Sequence, residues 1–101
     1  MEEKDFYQRH RFTWQGIGIE AIYQPRLWGG VIAHLEIRSI APEGAPLPIT
    51  ETGYLSHFHE CGSIEANGVD LVAQIIGYLD AAAEKPEWRR HVEASRQGIL
   101  F

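Results

Sequence analysis

An α+β fold is the class this sequence predicts: an N-terminal antiparallel sheet of about four strands, packed on one face by a C-terminal helix plus a second short helix. Three observations predict it. Apolar and polar residues alternate with period two through much of the first sixty positions, which is the mark of half-buried strands. From Asn67 onward the apolar period lengthens to that of a helix. A proline-rich stretch, 41–53, interrupts the alternating half before its last strand. Strands first and helices after imply a meander covered on one side.

The first strand is read in "HRFTWQ" (10–15), with Phe12 and Trp14 on one face and Arg11 and Thr13 on the other. Gly16 supplies the turn, because glycine takes positive φ without steric cost. In "GIGIEAIYQP" Ile17, Ile19, Ala21 and Tyr23 alternate with Glu20, Ile22 and Gln24, and "PRLWGG" (25–30) is expected to close that strand with a turn. "VIAHLEIRSI" (31–40) sets Val31, Ala33, Leu35 and Ile37 against His34, Glu36 and Arg38. "APEGAPLPITETG" is an extended loop, and "YLSHFHEC" (54–61) the fourth strand. Val69, Val72, Ile76, Leu79 and Ala83 then form a stripe flanked by Leu71, Ile75, Tyr78 and Ala82, with Asn67 or Asp70 near the helix start. Pro86 ends that helix and suits the first turn of another, "PEWRRHVEASRQ", which stops at Gly98; Trp88, Val92 and Ser95 share a side. The apolar tail 99–101 is expected to dock.

The 101 residues are expected to make one domain, with 1–9 as a disordered arm. Such a chain buries roughly two thirds of its unfolded surface and needs no staple. Its one cysteine, Cys61, leaves no internal disulfide, and no apolar run approaches the roughly 20 residues that span a bilayer. The expectation is a soluble, cytoplasmic chain with no membrane contact. The formal net charge is −5, and residues 41–68 carry four glutamates without a lysine or arginine. That distribution argues against duplex DNA as a partner.

"SHFHEC" (56–61) holds the residues closest to chemistry. On a strand His57, His59 and Cys61 line one face with Leu55, about 6–7 Å apart. Imidazole and thiolate suit zinc, but three donors in i, i+2, i+4 register point roughly parallel, and a tetrahedral ion needs convergence. No metal and no cofactor are expected, and no catalytic residue is assigned. Parity depends on the covered face. If Trp14, Ile19, Tyr23, Leu35 and Ile37 continue into Tyr54 and Phe58, then His57 and His59 join Glu20, His34, Glu36 and Arg38 on the opposite, polar face. The other parity follows from Leu55 as a good core residue and Ser56 and Glu60 as poor ones; it buries the histidines in part, with hydrogen bonds.

The candidate ligand or partner surface is therefore Glu20, His34, Glu36, Arg38, His57 and His59, with Trp28 at a loop tip as an anchor. "QGIGIE" lacks the third glycine and the strand–turn–helix setting of a dinucleotide site. The function expected is a small non-enzymatic binding or assembly module and a homo-oligomer, since open sheet edges are commonly closed by symmetric pairing. Two other classes stand beside it: single-stranded nucleic-acid binding, and a metal-binding or acid–base enzyme on the polar sheet face. The order of strands and helix resembles, in outline, small sheet-plus-helix domains that bind single-stranded nucleic acid. That resemblance implies Phe12, Trp14 and Tyr23 as stacking groups.

Overall fold

The computed structural model describes residues 7–27 and 30–98, and side chains up to residue 95. Four strands, β1 (Gln8–Trp14), β2 (Ile17–Leu27), β3 (Ile32–Ala41) and β4 (Tyr54–Glu60), form one antiparallel sheet in the order β1-β2-β3-β4. A short 3-10 helix (Glu65–Asn67) leads to α1 (Leu71–Ala83) and α2 (Pro86–Gly98). Both helices contribute to a single core with the sheet, which is the α+β arrangement expected. The expected arm overlaps β1 at Gln8 and Arg9, while residues 1–6 and the tail 99–101 lie outside the described residues.

Why each element forms follows from its residues. Gln15 (φ 49°) and Gly16 (φ 80°) are both left-handed, a two-residue connection whose twist matches the strands it joins. That connection pairs Trp14 with Ile17, and so Arg11 with Glu20. The second strand does not stop at Pro25 as its turn-like composition suggests. It continues to Leu27 through a register irregularity between Gln24 and Leu27. A bulge tolerates a proline because the ladder there leaves a residue unpaired. The Cys61 thiol donates to the Pro25 carbonyl at 2.9 Å, tying the residue after β4 to this irregular stretch of β2. Cys61 thus lies just beyond β4 and not in line with the histidines.

The connection 42–53 folds back on itself. Ser39 donates through its backbone N–H to Gly53 and through Oγ to the Ala45 carbonyl (2.6 Å), and Leu47 plugs the core. Gly53 has φ 76°, and a Cβ there would stand 2.6 Å from the Ala45 oxygen, so only glycine fits. Asp70 caps α1, accepting from the Ala73 N–H.

The buried stripe of α1 is Leu71, Ile75 and Leu79. The expected stripe began at Val69, which is 53 % exposed because it precedes the helix. Trp14 ties the sheet to the helices: its Nε1 donates to Asp80 at 2.9 Å, and its ring lies 5.8 Å from that of Trp88. This anchor sits over β1, the strand that α1 approaches most closely.

Candidate functional site

Strand register decides which side chains share a surface. Leu35 faces His57, Ile37 faces Leu55 and Ala33 faces His59, so His57 and His59 project toward the helices. Tyr54 and Phe58 are on the opposite, uncovered face, opposite Arg38 and His34. The first parity expected from the sequence is therefore reversed. An exposed aromatic resembles a core aromatic in sequence, whereas Leu35, Ile37 and Leu55 together bury more contiguous apolar surface. The second parity holds for orientation and fails for hydrogen bonding: both ring nitrogens of His59 are buried without a partner.

The candidate surface thus splits in two. On the covered face, His59 stacks between Tyr23 (ring centroids 6.0 Å, planes 8° apart) and His57 (5.3 Å, 19°). Ala33, directly opposite His59, is small enough to leave room for this stack. Burial pushes the His59 pKa down, the nearby His57 and His34 add to that, and Glu65 works the other way. The imidazole is held neutral. Tyr23 is 2 % exposed and donates its hydroxyl to Glu65 at 2.7 Å; burial first, then that bond, raises its pKa.

Beside this stack lies a cavity of about 710 Å³ between β3–β4 and α1. The sheet supplies Leu35, Ile37, Leu55, His57 and His59 as one wall. Ile49, Ser63, Ile64 and Asn67 close it from the connecting segments, and Tyr78, Ala81, Ala82 and Lys85 from α1 and its end. The cavity lies on the β3–β4 side, away from the Trp14–Asp80 bond by which α1 is tied to β1. Its wall is mostly apolar, with a few polar groups, and its size suits a small organic ligand. A second hollow, about 460 Å³, lies between Pro46–Pro48 and the α1–α2 junction and shares Ala82 and Lys85.

On the uncovered face Glu20, His34, Glu36 and Arg38 do stand together, in the rows Arg11–Glu20–Arg38–Tyr54, Ile22–Glu36–Ser56 and Gln24–His34–Phe58. Glu20 is 5 % exposed and meets three guanidiniums: Arg11 at 3.0 Å, Arg38 at 3.4 Å and Arg9 at 3.5 Å. The Arg11 hydrogen bond holds its carboxyl below the usual range; burial opposes this, and the three positive charges reinforce it. His34 is buried under Phe58 (4.3 Å, 24°), with Nε2 hydrogen-bonded to Ser56 Oγ at 2.7 Å and Nδ1 3.4 Å from Gln24. Tyr54 donates to Glu36 at 3.2 Å. Trp28 lies outside the described residues.

The surface expected from the sequence does not include Arg9, Arg11, Tyr54, Phe58 or Lys85, and its first parity sets Tyr54 and Phe58 in the core, where the structure exposes them. For the arginines a signal was present: a two-residue turn at Gln15-Gly16 pairs any β1 residue with a calculable β2 partner, and Arg11 then falls opposite Glu20. Phe12 packs at the core edge and Trp14 and Tyr23 are buried there, so none is available for stacking on the open face. Among the described residues no group of three or more His, Cys, Asp or Glu side chains is placed to hold a metal ion, and no helix is long and apolar enough to cross a membrane.

Compared with known proteins, the chain matches the family described as KlcB third domain over residues 7–88, which takes in the whole sheet, α1 and the start of α2. Neither a curated protein nor a solved structure matches.

Proposed function

The chain belongs to the KlcB third domain family, and from that premise we propose that it is a non-enzymatic binding module whose ligand is a small, mainly apolar molecule held between β3–β4 and α1. One observation carries this reading: the 710 Å³ cavity, whose sheet wall is the same apolar row that elsewhere forms the core. Leu35 and Ile37 are already buried, so filling it removes from water what half-buried Leu55 and Ile64 and exposed Tyr78 still show, at about 25 cal/mol for each Å² of apolar surface. The stacked His57–His59 ring pair offers a flat surface, and Lys85 favours an anionic group on the ligand. The single cysteine, engaged by a backbone carbonyl, suits a reducing cytoplasm.

The test is a fluorescence titration with 1-anilinonaphthalene-8-sulfonate, an apolar ring system bearing one negative charge. Saturable one-to-one binding is expected, weakened at least roughly 10-fold in Leu55→Trp, which fills the cavity. Unfolding of Leu55→Trp stays cooperative, which separates a blocked site from a disordered one. Binding that is unsaturable, or equal in both proteins, overturns the reading.

A further inference from the structure

We infer that the uncovered sheet face is a second binding site, and that it takes single-stranded nucleic acid. Nothing of the described structure lies over this face: both helices pack on the other side. Three guanidiniums share the Glu20 carboxylate at 3.0–3.5 Å, and with Glu36 in the next row this corner of the sheet keeps one positive charge in excess. The arginine side chains are 50–65 % exposed, so their remaining N–H donors reach solvent while Glu20 holds their heads in place. A guanidinium fixed in this way meets a phosphate with two parallel hydrogen bonds and little loss of freedom.

Along β4, Tyr54 (46 % exposed) and Phe58 (50 % exposed) present rings on the same face, four residues or about 13 Å apart. Phe58 rests on His34 and Tyr54 is tethered to Glu36, so both rings are oriented before any ligand arrives. Arg38 is directly opposite Tyr54, which brings phosphate-seeking and base-stacking groups side by side. Charge and flat apolar surface at this spacing suit a strand with accessible bases. A duplex keeps its bases stacked inside and cannot use the two rings. The overall charge of −5 further disfavours duplex binding, which depends on many phosphate contacts.

The experiment is fluorescence anisotropy with a labelled oligo-dT 12-mer on the full chain at 50 and 200 mM salt. Saturable binding is expected at 50 mM, and two to three neutralised phosphates imply roughly a 7- to 20-fold loss at 200 mM. Phe58→Ala is expected to weaken binding roughly 5- to 150-fold, as loss of one stacked base does. Arg38→Ala weakens it and lowers the salt dependence. Leu55→Trp, on the other face, leaves it unchanged, so this site and the cavity fail or stand separately. Circular dichroism on each variant checks folding, and Tyr54→Ala is the substitute if Phe58→Ala unfolds. No binding at 50 mM salt overturns the proposal. So does equal affinity for a duplex or for an oligo-glutamate peptide, or indifference to the loss of both rings.

Discussion

His59 lies parallel to Tyr23 and offset from it, 6.0 Å between centroids and 8° between planes, and neither of its nitrogens meets a partner. This stack is uncharged by construction. Tyr23 keeps its proton because its hydroxyl is buried and donates to Glu65, and His59 sheds its second proton because the charged ring would lose solvation.

Stability should therefore fall in mild acid. The folded-state pKa of His59 is depressed below 6.5. Its contribution is complete above the unfolded value and is lost as pH falls through 6.5 toward the lower folded value. Thermal melts from pH 8 to 5 should show a plateau and then a decline, and His59→Phe should flatten the part of that decline between pH 6.5 and 5. Parallel curves for the two proteins would show that protonation of His59 is not the cause.

A second loss of stability belongs to the open face at lower pH. Glu20 is held below its ordinary 4.5 by Arg11 and its neighbours, so its contribution is present above 4.5 and lost as pH falls through the lower folded value. Glu20→Gln should lower the melting temperature at pH 7 and remove part of the transition below pH 4.5. An unchanged melting temperature in that variant would mean the three arginines do not depend on the carboxylate.

Gly53 and Gly62 both have positive φ, yet only Gly53 faces an obstacle, the Ala45 carbonyl 2.6 Å from a Cβ. Alanine at either position meets backbone strain of about 1–3 kcal/mol. Gly53→Ala should be the costlier in urea unfolding, since the 42–53 connection must also shift and with it the Leu47 plug. Equal midpoints for the two variants would contradict this description of the loop.

Strand β4 is a sheet edge of seven residues containing neither lysine nor proline, the residues that usually discourage edge pairing. We expect two copies to pair along it, giving a dimer by light scattering at micromolar concentration. Phe58→Lys should return the chain to a monomer. A strict monomer in the parent would remove the assembly reading and leave the cavity untouched.

The fold was legible because the strands alternate, α1 begins at the capping Asp70 and α2 begins at Pro86. The Gln15-Gly16 turn, the paired arginines and the capping Asp70 all have local signatures. What escaped is non-local. Whether Leu55 or Phe58 faces the core depends on how β4 registers against β3, and a shift of one residue exchanges the two faces. Pro25 was misread as a turn because a bulge that accepts it is visible only once β3 is in place. The cavity could not be foreseen at all, because it depends on where α1 sits over the sheet, and the contacts that set this are non-local, such as the Trp14–Asp80 bond across 66 residues of chain.

That cavity carries the central claim, and methyl NMR reads it directly. With Leu and Ile methyls labelled, 1-anilinonaphthalene-8-sulfonate is titrated to saturation. The account predicts that Leu35, Ile37, Leu55 and Ile64, which line the cavity, shift together along one saturable curve, while Ile22 on the open face stays still. Unmoved methyls in the cavity, or larger shifts at Ile22, would contradict it.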